Sequence, residues 1–202
     1  MDDDRQFEAR VAYDQSNLYL RYDVTSDAPL NNQISEPQLI FKGGNLIDFQ
    51  IATDSQADPN RKTPAPGDMR LLISMRDGKP YAMRYTPKIA GFTGSSKVFT
   101  SPTGSESFDR IDQVQGIDIK VKPAADGFTA YVTIPLQLLD WNPKPGTTVQ
   151  MDLGYIFGNR TGLVAAARAY WHNRGFSAYV TNDIPNESRL QPNEWGVAKI
   201  EP

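Results

Sequence analysis

The sequence predicts an all-β protein: an antiparallel β-sandwich of jelly-roll or immunoglobulin-like kind, with at most one short helix, built as a single domain over residues 1–202. Three observations carry this prediction. Apolar residues recur with period two in one segment after another. These segments are bounded by Gly, Pro, Asn or Asp. No stretch keeps the spacing of an amphipathic helix for more than a turn or two. Many short strands with turn signals and no repeat period favour two packed sheets.

The elements follow in order. FEARVAY places Phe7, Ala9, Val11 and Tyr13 on one face, and in NLYLRYDV the residues Leu18, Leu20, Tyr22 and Val24 alternate with Asn17, Tyr19, Arg21 and Asp23. The short polar DQSN between them makes the pair a hairpin. NLIDFQIAT repeats the alternation through Ile47, Phe49 and Ile51. MRLLISM and PYAMRYT flank RDGK, whose Asp77-Gly78 step favours a tight hairpin turn. GIDIKVK and FTAYVTIP are joined across PAADG, and LQLLDW after Pro135 is the one short helix. TVQMDLGYIF, GLVAAARAYW and WGVAKIE are the last strands. Two long stretches, TDSQADPNRKTPAPGD and AGFTGSSKVFTSPTGSESFDR, read as connections.

Composition narrows the function. The formal charge of −3 comes from 21 basic and 24 acidic residues, well interspersed. No basic stripe is present to meet backbone phosphates, so nucleic acid is not an expected partner. No apolar run approaches the ~20 residues that span a bilayer, so membrane insertion is not expected. The chain has no cysteine, which removes disulfides, zinc–thiolate sites, iron–sulfur clusters and a thiol nucleophile. The acidic start, MDDDRQFEAR, lacks the apolar core of a signal peptide.

RAYWHN holds the only histidine beside one of three tryptophans. On a strand, an outward Trp171 would share its face with Ala169 and Asn173, leaving Arg168, Tyr170 and His172 on the other. An outward ring could cover the apolar face of a sugar, while amides, carboxylates and Arg bond its hydroxyls. The other reading packs Trp171 in the core, where Trp141 and Trp195 are expected. In the loop, Asp54, Asp58, Asn60 and Asp68 offer hard oxygen ligands for a structural calcium, though not at EF-hand spacing; the alternative is a solvated loop with Asp-Pro turn chemistry. Nothing favours catalysis. A single His, no G-x-S-x-G and no Cys point away from a nucleophilic or zinc constellation, and paired carboxylates for glycoside hydrolysis are a matter of three-dimensional separation that the sequence does not mark.

The order of local patterns is similar to that of family 9 carbohydrate-binding modules and their DOMON-like relatives. VAYDQSNLYLRYDVTSDAP resembles their opening hairpin, and GGNLIDFQIATD resembles the strand that follows. DGFTAYVTIPLQLLDWNPKPGTTVQMDLGYIFGNRTG resembles their strand, Ile-Pro corner, short helical turn and next strand. ARAYWHN and EWGVAKIE resemble the late Arg–Trp strand and the closing Trp-Gly strand. The resemblance implies a non-catalytic sandwich that binds a poly- or oligosaccharide and targets an attached protein. It also implies a secreted, periplasmic or envelope setting, and partner domains on the same polypeptide.

By this resemblance Trp171 is the sugar platform, and the polar groups of the same stretch, Arg168, Asn173 and His172, are expected to bond hydroxyls. Arg84, Asn159 and Arg160 are expected to complete the rim. Relatives that clamp a terminal sugar take a second tryptophan from the loop after the Gly-Asp strand, and the loop here has no aromatic. Tyr81, Tyr85, Phe92 and Phe176 are the candidate substitutes. Relatives also carry an extra strand before the opening hairpin, where only MDDDRQ stands here, so a chain excised from a longer protein is expected. Two alternatives belong to the same fold neighbourhood. One is a b-type haem domain, with Met83 or Met151 opposite His172. The other is a docking domain without a ligand.

Overall fold

A computed structural model describes residues 5–202, apart from the side chain of Phe176. Two antiparallel sheets pack face to face. The small sheet has the order β1 (Gln6–Tyr13), β2 (Asn17–Thr25), β10 (Gly127–Pro135), β9 (Asp118–Ala124). The large sheet runs β12 (Ala165–Tyr170), β11 (Thr148–Gly158), β3 (Leu46–Ala52), β4 (Asp68–Arg76), β5 (Lys79–Thr86), β8 (Arg110–Gln113). The closing strand β13 (Gly196–Lys199) pairs with residues 148–151 of β11, while β12 pairs with residues 154–158 of the same strand. The long strand β11 thus has β13 and β12 end to end along one edge. No helix among the described residues is long and apolar enough to cross a membrane.

The expected strands form where the alternation placed them. Asp77 and Gly78 both take positive φ, as a two-residue hairpin of the favoured twist requires. Two further strands lie in what reads as a connection, and a third starts at its last residue. The hairpin β6 (Lys97–Ser101) and β7 (Gly104–Phe108) forms a separate two-stranded sheet, and β8 adds to the edge of β5. The β6 and β7 segments are short and rich in Ser, Thr and Gly, and β8 is only four residues long, so their alternation is faint. The expected helix shrinks to one turn, α1 (Leu136–Leu139), ended by Asp140 in the left-handed region. A second helix was not expected: α2 (Ile184–Ser188), capped by the Asp183 carboxylate on the Asn186 N–H.

The core comes in two layers. Between the sheets, Leu18, Leu20, Tyr22 and Val24 of β2 meet Ile47, Phe49 and Ile51 of β3 and their neighbours, all buried. Behind the large sheet lies a second apolar cluster around Phe41, Leu72, Met83, Tyr85, Phe108 and Trp195. Its cover is a 3-10 turn at Pro37–Lys42, the β6–β7 hairpin, α2 and the chain leading to Trp195. Both faces of β3 are therefore buried along its whole length. That is why its polar residues Asp48 and Gln50, which sit on the off-beat of the alternation, are wholly shielded from solvent.

Candidate functional site

Strand β12 ends at Tyr170, and the chain turns away with Trp171 at the rim of the large sheet. The Trp171 N–H donates to the Leu153 carbonyl at 2.8 Å, which anchors the residue to β11. Its indole lies against Gly196 at the start of β13, where a Cβ would come within 2.4 Å of the ring. A bare backbone is thus the bed on which the ring lies, and the ring stays 46% exposed. Of the two sequence readings of Trp171, the geometry realises the outward one.

The ring borders a cleft of about 770 Å³ between the free edge of the small sheet and the β11–β13 edge of the large one. Phe7 and Val11 line one wall, Leu153 and Ala169 the other, and Trp141 also reaches it. Polar groups are few. The Tyr13 hydroxyl donates to the Glu201 carbonyl at 2.6 Å, and Lys199 pairs with Glu201 at 3.0 Å. Next to Trp171, the exposed His172 ring sits edge-on at 6.1 Å between centroids. Its Nδ1 lies 3.0 Å from the Glu194 carbonyl. A carbonyl only accepts, so Nδ1 carries the proton and Nε2 of the neutral ring remains an acceptor. An apolar ring face beside a free imidazole nitrogen and a Lys–Glu pair can stack a pyranose and bond some of its hydroxyls.

The turn is held from below by Asp152 of β11. Its Oδ1 accepts from the N–H of Leu153 at 2.9 Å and of His172 at 3.0 Å, and its Oδ2 accepts from Asn173 N–H at 2.8 Å. Burial pushes the carboxyl up to about 6, against the pull of these three bonds, and the charge of Asp48 adds to the rise.

Several expected rim residues lie elsewhere. Arg168 is buried behind the large sheet, where it donates to Glu187 Oε2 at 2.7 Å and to the carbonyls of Phe41, Ser177 and Glu187. Burial lowers the pKa of its guanidinium. The alternation sent its side chain away from Trp171 as expected, but into a closed layer rather than toward a ligand. Asn173 is also buried, because the strand has ended and alternation no longer governs it; its amide bonds Ser177 Oγ and Gly175 N–H. Arg84 is tied to Asp112 at 2.6 Å and to the Leu138 carbonyl. Tyr85 is wholly buried, donates to the Gln38 carbonyl, and therefore presents no face to a sugar. Tyr81 is buried under Arg76.

Asn159 folds its own loop, accepting from Thr161, Leu163 and Val164. Arg160 is exposed 3.7 Å from Asp27, at the end of β12 opposite Trp171. Phe92 is exposed but does not line the cleft, and the Phe176 side chain lies outside the described residues. Among the described side chains of the expected set, only Trp171 lines the cleft, with the exposed His172 ring beside it.

The loop read as a calcium site is closed by a different cation. Arg61 grips both oxygens of Asp68, reaches Gln150 Oε1 at 2.7 Å and lies over the Trp195 ring. The Asp54 and Asp58 carboxylates cap the N–H groups of Gln56 and Asn60. Among the described residues no three carboxylate or imidazole side chains converge as metal ligands. The donor set does not fit a calcium ion, because a guanidinium already neutralises its most buried member. Nor is the haem pair assembled. Met83 and Met151 face opposite sides of the large sheet, and the His172 ring is turned to the Glu194 carbonyl.

The alternation did not mark what fills the space behind the sheet. Arg70 donates to both oxygens of Asp48, at 2.9 and 2.5 Å, and to the Glu187 carbonyl. The Tyr170 hydroxyl donates to Asp48 Oδ2, and Lys42 reaches Glu187 from the surface. Gly154 makes room for this: a Cβ there would come within 2.4 Å of the Tyr170 ring. Charged residues on the off-beat of very apolar strands were the available signal. They read as solvent-facing because the covering layer has no pattern of its own.

Compared by sequence, the chain matches no family model and no curated protein. Compared by structure, it is similar to a family 9 carbohydrate-binding module from Caldicellulosiruptor kristjanssonii in complex with cellotriose. The TM-score is 0.55 at 12% identity, over 98% of this chain and 75% of that one. A family 9 module from the same organism in complex with glucose gives a TM-score of 0.51 at 14% identity, over 96% of this chain and 76% of that one. The chain has a fold like that of the family 9 carbohydrate-binding modules, an antiparallel sandwich of the kind its sequence predicts.

Proposed function

We propose that this chain is a non-catalytic carbohydrate-binding domain that holds a sugar against the exposed face of Trp171. The observation that carries the reading is the indole itself: a large ring resting against Gly196, half-open to solvent at the rim of a cleft. The cellotriose and glucose complexes of the structural neighbours support a glucose-based oligosaccharide as the first ligand to try. His172 Nε2 and the Lys199–Glu201 pair are the groups we assign to the sugar hydroxyls. They exchange bonds to water for bonds to sugar, so stacking supplies much of the affinity. A dissociation constant between about 1 mM and about 1 μM is expected. Targeting of an attached protein, outside the cytoplasm, is the role we assign to such a domain.

The test is a titration of tryptophan fluorescence with glucose, cellotriose and a panel of other oligosaccharides. A saturable change in the wild type that vanishes in Trp171→Ala supports the reading. A flat response in a folded protein removes it.

A further inference from the structure

The carboxylate of Asp152 ties the turn after β12 to β11 through the backbone of His172 and Asn173. It accepts the consecutive N–H groups of His172 and Asn173 while also accepting Leu153 N–H, so it spans β11 and the turn. Trp171 is the residue between that clamp and the last β12 pair, Gly154 with Tyr170. We propose that Asp152 is the positioning residue of the Trp171 platform: its ionised carboxylate fixes the turn that carries the indole, and uptake of a proton there loosens the turn and weakens binding at Trp171. This rests on the reading of Trp171 as the sugar platform.

The chemistry is that of an acceptor turned partly into a donor. An ionised carboxylate offers only acceptors, which suits three N–H groups. A carboxylic acid places a hydrogen on one oxygen, which then faces an N–H and must give up at least one bond. By reciprocity, whatever holds the turn in place favours the ionised form, and ionisation favours the held turn. The poise comes from opposing terms that nearly meet: burial raises the carboxyl to about 6 while the backbone bonds pull it down.

The charged and titratable groups around Asp152 come from each neighbouring element. Asp48 of β3 repels it, but is itself held by Arg70 of β4 and by Tyr170 of β12. From β2, the hydroxyl of Tyr22 feels the Asp152 charge across the sheet. The turn adds His172 and Arg174, the latter bonded to the Tyr170 and Asn173 carbonyls, and the following segment adds Glu194. No cation pairs with Asp152 among its described bonds, so its charge is balanced by N–H dipoles alone.

The experiment follows the amide resonances of His172 and Asn173 and the Trp171 emission from about pH 8 to about pH 4.5, without sugar. Wild type, Asp152→Asn and His172→Asn are compared; Trp171→Phe assigns the emission. In the wild type both amides and the emission are expected to titrate together with a midpoint near the raised value. His172→Asn keeps that transition, and Asp152→Asn shows the acid-form signals throughout. Cellotriose affinity, measured on the same samples, is expected to fall about tenfold across the transition in the wild type, the loss of one charge-assisted bond, and to be flat in Asp152→Asn.

The proposal is overturned if the amides do not titrate, or if the transition disappears in His172→Asn. It is also overturned if sugar binds with an affinity unmoved by pH. If no sugar binds while the amides and emission still titrate, the sugar reading fails and the clamp on Trp171 stands. The wild-type and His172→Asn titrations decide the clamp even if Asp152→Asn does not fold.

Discussion

The two faces of the large sheet solve the same burial problem with opposite chemistry. Its inner face presents Ile47, Phe49, Leu71 and Ile73 to the small sheet, and no ion pair is buried among these four. Its outer face presents Asp48, Gln50, Arg70 and Ser74 from the same two strands, equally buried. The inner face gains from every apolar atom withdrawn from water, with little demand on direction. The outer face has to satisfy each charge by geometry, which it does by tying Asp48 to Arg70 and Tyr170, and Glu187 to Arg168 and Lys42. An apolar contact tolerates approximate fit, whereas a buried ion pair lacking one partner leaves a bare charge. The lesson is that one sheet can be adaptable on one side and unforgiving on the other, and Trp171 stands at the rim where both sides end.

Removing a partner on the outer face should have the largest effect. Arg70→Ala leaves Asp48 buried with no cation, only the Tyr170 hydroxyl and the Gln50 amide, and is expected to lose roughly 3–5 kcal/mol in a urea unfolding measurement. Replacing Asp48 and Arg70 together by leucine should lose less than the single substitution, since no uncompensated charge remains. A double variant as unstable as the single would show that the two faces do not differ in this way.

On the inner face, Leu71→Ala is expected to lose about 3 kcal/mol through lost burial and the cavity left behind. That loss should be the same at acid and neutral pH. A pH-dependent loss there would blur the contrast with the charged side.

Asp152 sharpens the comparison through its sign. Its carboxyl is raised in the folded state to about 6, so the folded protein binds its proton more readily than the unfolded chain. Stability from this group is fully present below the ordinary carboxylate value and is lost as pH rises to about 6, by on the order of 1–3 kcal/mol. Asp152→Asn should flatten that part of the pH–stability profile. An unchanged profile would mean that the carboxyl is not raised.

The smallest stability effect belongs to the platform. Trp171→Ala should change unfolding free energy by less than about 1 kcal/mol, because the ring is half in water already. Trp195→Ala is expected to cost about 3–5 kcal/mol, since its indole is buried and donates to Gln50 Oε1 at 2.9 Å. Equal losses at the two tryptophans would place Trp171 in the core.

Legibility followed the same divide. Strands β2, β3, β4, β5, β10 and β11 could be read directly, because their inner residues keep strict period two. The hairpin β6–β7 and helix α2 could not, since SES, TS and PNES are turn residues whose structure comes from docking on the sheet. At the site, the phase of AARAYW set Trp171 and Arg168 on opposite faces. Neither the outward course of Trp171 nor the fate of Arg168 followed from it, because the same phase leads to solvent or to a covered layer depending on what lies behind.

The sequence by itself determined that this is an antiparallel sandwich, which residues face its centre, and where its hairpins turn. Period two and turn chemistry are local, and the hydrophobic effect acts on them without needing a partner's identity. Only the tertiary structure decided that Asp48, Arg70, Arg168 and Glu187 are an internal ionic layer. It also decided that Arg61 rather than a metal neutralises Asp68, and that Trp171 lies open on Gly196 above Asp152. Each depends on which segments meet across long stretches of chain, and a charge carries no local mark of the partner it will find.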